Sequence, residues 1–196
     1  MTSTLQVETI QNSAGAAVFD TFPEIDCWRL VDDFTGSADV ITSWERANSE
    51  VGGVSVSNMP VGIGLSENDG TWSFPRTGLY KIDVMANLLT TVDDAGYSVG
   101  LYFSVDNGST YDELGRITHA GNQTDTLQTS ATGAFFLNVK AIDGPTAMKF
   151  QIKTIGMASG GSIQGTTADE NNTGNTDGTT NQTCVLCTRL APAVIT

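Results

Sequence analysis

Between Leu79 and Thr90 the chain alternates apolar and polar residues with little interruption. Tyr80, Ile82, Val84, Ala86 and Leu88 fall on one side, and Lys81, Asp83, Met85 and Asn87 on the other. Successive side chains of a strand point to opposite faces, so this period of two describes a strand with one face in a core and one outside. Phe74-Pro75-Arg76-Thr77-Gly78, just ahead of it, reads as a turn: proline fixes φ and lacks an N–H, and glycine accepts positive φ. A strand this long needs neighbours on both sides, and the rest of the chain reads as a supply of them.

Cys27–Val31 and Val40–Arg46 read as strands, followed by glycine-spaced runs at Val51–Val56 and Val61–Leu65. After the central strand, Tyr97, Val99, Leu101, Phe103 and Val105 alternate again and stop at Asp106-Asn107-Gly108. Asn-Gly is a strong hairpin signal because both residues tolerate positive φ. Thr110–Ile117 returns from that turn. Phe135, Leu137, Val139 and Ala141 share one face of the Leu127–Ile142 stretch, Met148, Phe150 and Ile152 alternate with Lys149, Gln151 and Lys153, and Cys184–Leu190 closes the series. Eight to ten short strands separated by turns predict an all-β, antiparallel sandwich or jelly roll.

Residues 1–24 stand apart. Leu5 to Ile10 makes one short strand, and Asn12-Ser13-Ala14-Gly15 breaks it. One short strand cannot form a core, so the segment reads as a docking arm, with Leu5, Val7, Ile10 and Phe19 as its apolar anchors and residues 25–196 as the head. Within the head, residues 158–183 are a Gly/Thr/Asn stretch without apolar periodicity and are expected to form a long polar loop.

The chain has 196 residues, room for one good-sized domain, and 21 of them are glycines, which suits many turns. Nine basic residues against 22 acidic ones give a net charge of -13. With no basic stripe to displace counterions, nucleic acid is not an expected partner. The acidic surface favours solubility and suits basic partners or divalent cations. No stretch approaches the roughly 18 apolar residues of a membrane helix, and residues 1–10 lack the basic and apolar regions of a secretory signal, so no membrane insertion is expected and synthesis in a cytoplasm is.

Candidate chemistry is thin. Gly96-Tyr97-Ser98-Val99-Gly100 matches the hydrolase G-x-S-x-G, with His119 downstream, but Ser98 lies inside an alternating strand and not at a strand-to-helix elbow. Cys184 and Cys187 have metal or redox spacing, yet only Cys27 and His119 remain to complete a zinc site. Residues three apart on a strand face opposite ways, so two separate thiols are expected. Asp169, Glu170 and Asp177 offer oxygens in the glycine-rich loop without the spacing of an EF-hand, which reads as a solvated acidic loop. No catalytic site and no cofactor are expected, and the chain reads as non-enzymatic.

Particular passages resemble a known family. Phe74-Pro75-x-x-Gly78-x-Tyr80 resembles the central strands of complement-type globular heads, which share the tumour-necrosis-factor jelly roll. Trp28-Arg29-Leu30, Asp33-Phe34-Thr35-Gly36 and Ile41-Thr42-Ser43-Trp44-Glu45-Arg46 resemble the opening of such heads encoded by marine tailed bacteriophages, and Thr188-Arg189-Leu190 resembles their last strand. Thr4–Gln11 is similar to the short leader of phage tail-fibre and surface proteins. The resemblance implies a jelly-roll head that assembles as a homotrimer, with Tyr102 and Phe136, outside the main apolar rows, as candidate contacts between copies. It implies a structural protein on the virion surface, made in the host cytoplasm and attached through its arm to capsid or tail proteins. Capsid decoration and tail fibre both remain open. The alternative is a receptor- or carbohydrate-binding, lectin-like module, since some complement-type heads recognise sugars. Many such heads bind calcium, which keeps Asp169, Glu170 and Asp177 as candidate ligands.

Overall fold

The computed structural model describes residues 23–37, 39–47, 50–51, 54–55, 60–90, 96–120, 127–157, 160–165 and 183–193. Its strands, in chain order, are β1 (Ile25–Leu30), β2 (Trp44–Arg46), β3 (Glu50–Val51), β4 (Val54–Ser55), β5 (Ser66–Asn68), β6 (Thr71–Ser73), β7 (Gly78–Thr90), β8 (Gly96–Ser104), β9 (Asp112–Ala120), β10 (Leu127–Val139), β11 (Lys149–Ile155), β12 (Ser162–Ile163) and β13 (Cys184–Ala191). One 3-10 turn, Gly144–Thr146, is the only helical element among the described residues, and none of them forms a helix long and apolar enough to cross a membrane.

The strands form two antiparallel sheets face to face. One runs β10-β7-β13-β1-β2, with β12 also paired to β7, and the other β5-β6-β11-β8-β9; β3 and β4 pair separately. The alternation in β7 decides which side faces the second sheet. Tyr80, Ile82, Val84, Ala86 and Leu88 are each at most 2% exposed, whereas Met85 between them is 37% exposed. Burying each of the larger side chains contributes about 1.5–3 kcal/mol. Val185 and Cys187 of β13, Trp28 and Leu30 of β1, and Leu137 and Val139 of β10 extend the same buried face. From the other sheet, Trp72 stacks on Phe150 at 4.8 Å and meets Trp44 edge-on at 5.2 Å, so aromatic rings fill the middle of the sandwich.

Turns fall where the sequence calls for them. Asn107 and Gly108 take φ of 59° and 88°, and the side chain of Asp106 accepts from the Thr110 hydroxyl at 2.6 Å and the Thr110 N–H at 2.9 Å. β8 and β9 pair from Phe103↔Asp112 to Gly96↔Ala120, with a bulge beside Leu101 and Tyr102.

Of the Val40–Arg46 stretch only Trp44–Arg46 is strand, and two further departures from the sequence reading concern the bounds of the head and its polar loop. Glu24, assigned to the arm, belongs to the head. Its side chain is fully buried, Oε2 accepts from the N–H groups of Ile63 (2.7 Å) and Gly64 (3.2 Å), and Oε1 lies 3.1 Å from Arg76 Nε. That last contact is an ion pair by distance, although its angle does not make a hydrogen bond. Next to it Asp26, also buried, accepts from Leu65 N–H at 2.8 Å and faces Arg46, whose guanidinium covers the Trp28 ring. Two buried carboxylates thus fasten the start of β1 to the 61–65 loop, which hydrogen bonds and arginines make tolerable. The loop can come this close because position 62 is glycine: at φ +91° a Cβ there would lie 2.1 Å from Glu24 Oε2. The second departure lies in 158–183, where Ser162–Ile163 forms β12 instead of loop. Ile163 is fully buried, pairs opposite Leu88, and exchanges two 2.8 Å backbone hydrogen bonds with Phe34.

Candidate functional site

The two outer surfaces of the sandwich differ in how their side chains are used. On the β5-β6-β11-β8-β9 sheet, polar groups pair with one another. Ser98 and Thr118 share a hydrogen bond at 2.9 Å, and Gln151 donates to Thr71 at 2.8 Å. Tyr102 donates to Glu113 at 3.2 Å, and Glu113 in turn holds Arg116. The Arg116 guanidinium keeps the Glu113 carboxyl below its usual range, chiefly by hydrogen bonding. Lys153 places its ammonium 4.8 Å from the Tyr102 ring and 5.5 Å from that of Tyr111.

The outer surface of the other sheet is built differently. Thr132, Ala134 and Phe136 of β10 stand opposite Met85, Asp83 and Lys81 of β7, and Cys184, Leu186 and Thr188 of β13 flank them on the other side. Phe136 is 56% exposed. Asp83, Met85, Thr132, Ala134, Cys184 and Leu186 line a groove of about 450 Å³. The charges on this surface are spent on each other: Lys81 pairs with Asp83 at 2.8 Å, and Arg29 with Glu45. A face that carries an aromatic ring in water on β10, a methionine on β7, a leucine on β13 and no net charge has the composition of a protein interface.

Tyr102 and Phe136 therefore sit on opposite outer surfaces. The Tyr102 ring and hydroxyl are occupied within the chain, whereas the Phe136 ring lies in the open on the apolar face. The Ser98 and His119 reading fails on geometry. Ser98 lies mid-strand on the outer face of β8, while His119 pairs opposite inward-facing Tyr97, so the two side chains leave β8 and β9 on opposite sides. Among the described residues no group of three or more His, Cys, Asp or Glu could hold a metal ion. Cys184 and Cys187 do face opposite ways, the first half-buried outside and the second buried in the core. The arm anchors Leu5, Val7, Ile10 and Phe19 and the calcium candidates Asp169, Glu170 and Asp177 lie outside the described residues.

Sequence reasoning did not find the apolar face. Its members come from β7, β10 and β13, and only the strand order brings them together. It also left Cys27 unconnected with Cys184, a neighbour that appears once the first and last strands are known to pair.

No family model matches the chain, and no curated protein matches its sequence. Solved structures do match. The Eiger TNF of S. frugiperda superposes with a TM-score of 0.59 at 14% identity, over 88% of this chain and 96% of that one. Murine APRIL superposes with a TM-score of 0.57 at 10% identity, over 86% and 99%. The fold is the tumour-necrosis-factor jelly roll. The superposition takes in nearly the whole of both solved chains. Identities this low establish the fold alone.

Proposed function

We propose that this chain is a non-enzymatic binding protein that works as a homotrimer of tumour-necrosis-factor-type heads, engaging a receptor or surface glycan. The observation that carries the reading is the apolar, charge-balanced outer face of the β10-β7-β13-β1-β2 sheet. Each copy has a net charge of -13, so copies repel unless they meet through a surface free of net charge. In a threefold ring each copy offers one surface to the next copy and a different surface to the previous one. The face around Phe136 supplies one of these, and the polar surface around Tyr102 and Lys153 stays free for a ligand. Three weak sites held together bind far more tightly than one. A glycan array probed beside a panel of cell-surface receptor ectodomains tests the reading. Saturable binding by the assembled protein, lost on dilution to single heads, supports it; no binding to either class contradicts it.

A second reading is favoured by the similarity of Thr4–Gln11 to phage leaders. Here the trimer is a virion surface protein, a capsid decoration or tail fibre, and residues 1–22 attach it to capsid or tail. Mass spectrometry of purified particles would find the protein in them, and a chain beginning at Pro23 would fold without being incorporated. Absence of the protein from particles rules this reading out.

A further inference from the structure

Cys27 and Cys184 lie on β1 and β13, the first and last strands of the head, which pair directly. In their register Cys27 stands opposite Leu186 and Cys184 opposite Arg29, so the two cysteines are diagonal neighbours. Both point to the outer face and both are half-buried, while the third cysteine, Cys187, is buried on the inner face. Each thiol shifts the pKa of the other, as two sulfurs facing one another across the strand pair would. We propose that Cys27 and Cys184 are a redox-active dithiol that closes to an intrachain disulfide when the protein meets a small-molecule disulfide such as oxidised glutathione.

The two sulfurs have different parts. Interaction between the two thiols lowers the pKa of Cys184 and raises that of Cys27. Cys184 is accordingly the attacking thiolate. It displaces one glutathione thiol and forms a mixed disulfide. Cys27 then gives up its proton, attacks the Cys184 sulfur and releases the second glutathione thiol. Two protein thiols are oxidised and one glutathione disulfide is reduced to two thiols. Cys187 takes no part, since burial raises its pKa and holds it as an inert thiol.

The register also says what kind of disulfide this is. Diagonal neighbours on paired strands have Cα atoms typically about 7–8 Å apart, beyond the ordinary disulfide range, so closure draws β1 and β13 together at this point. A strained disulfide is easily reduced, which suits a reversible switch better than a permanent staple. Leu186 stands opposite Cys27 and two residues along β13 from Cys184, and Cys184 and Leu186 both line the outer groove, so closing the bond reshapes that groove whatever docks there.

The test is to equilibrate the purified full-length chain in glutathione buffers from fully reduced to fully oxidised. The reaction is stopped with acid, remaining thiols are alkylated in denaturant, and peptides are mapped by mass spectrometry. The expected result is one transition that joins the Cys27 and Cys184 peptides while Cys187 stays alkylated, and full reversal in excess reduced glutathione. In Cys27→Ser, Cys184 should instead retain a single glutathione. The proposal is overturned if both thiols stay alkylated in oxidised glutathione alone, if Cys184 of the unaltered protein stops at the glutathione adduct, or if the cross-link involves Cys187.

Discussion

The outer faces of the two sheets start from the same alternating strands and end in opposite conditions. On the β5-β6-β11-β8-β9 sheet each outward polar group described above has a partner in the same chain: hydroxyl on hydroxyl, ammonium over phenol rings, carboxylate on guanidinium. On the β10-β7-β13-β1-β2 sheet the charges are paired with each other, but the apolar groups are not covered: Phe136 and Met85 remain 56% and 37% exposed. Water satisfies the paired polar groups of the first face, and only another apolar surface satisfies the open Phe136 ring of the second. Exposure alone therefore does not mark a contact surface. What marks it is exposed area that neither water nor the chain itself can satisfy, and this separates Phe136 from Tyr102.

The comparison can be broken most strongly where the apolar face is anchored. β1 contributes Cys27 to that face and is pinned at its start by Glu24. Glu24→Ala would remove the acceptor for the N–H groups of Ile63 and Gly64 and the carboxylate beside Arg76. Loss of one side of such a buried polar arrangement costs about 3–5 kcal/mol, to be read as a lower urea midpoint with an unchanged m-value. A midpoint equal to that of the unaltered protein would show that β1 does not depend on this anchor.

A smaller effect sharpens the comparison from the polar side. Lys153→Ala removes the ammonium from between Tyr102 and Tyr111, a contribution of about 0.5–1 kcal/mol at a partly exposed site, and should leave the mass in solution unchanged. The smallest effect is confined to acid. Hydrogen bonds, first from the Thr110 hydroxyl and then from the Thr110 N–H and Ser104, lower the Asp106 pKa from 3.8 to about 2. A carboxylate with a depressed folded pKa stabilises the fold above its unfolded value and loses that contribution as pH falls through the folded one. The difference in urea midpoint between the unaltered protein and Asp106→Asn should therefore be constant above about pH 5 and vanish toward pH 2, the window set by those two values. A difference independent of pH would mean that the Asp106 charge has no part in the turn.

Much of the sandwich was legible because its signals are local. The alternation of Tyr80 to Leu88 gave the buried face of β7 residue by residue, and Asn107-Gly108 gave a turn whose backbone angles follow from those two residue types. Phe135, Leu137 and Val139 likewise share the inward face of β10. What was not legible depends on partners far away in the chain. β13 lies between β7 and β1, and nothing in Cys184–Ala191 says so. Ile163 is hidden among glycine, serine and threonine, and its burial depends on Phe34 and Leu88. Glu24 reads as a surface charge because a single carboxylate in a sequence does not disclose that two backbone N–H groups, from Ile63 and Gly64, will meet it. The apolar face combines both cases: each strand was readable, and their grouping was not.

The most direct measurement of the central claim is the mass in solution, by light scattering, of the unaltered protein, Phe136→Glu and Tyr102→Ser at the same micromolar concentrations. The unaltered chain and Tyr102→Ser should both give about three times the 20.6 kDa chain mass. Phe136→Glu, which replaces the exposed ring of the apolar face with a charge, should weaken association roughly 30-fold or more and approach the mass of one chain while keeping its β-sheet circular dichroism. A monomeric unaltered protein, or a trimer that survives Phe136→Glu and falls apart with Tyr102→Ser, would contradict the account.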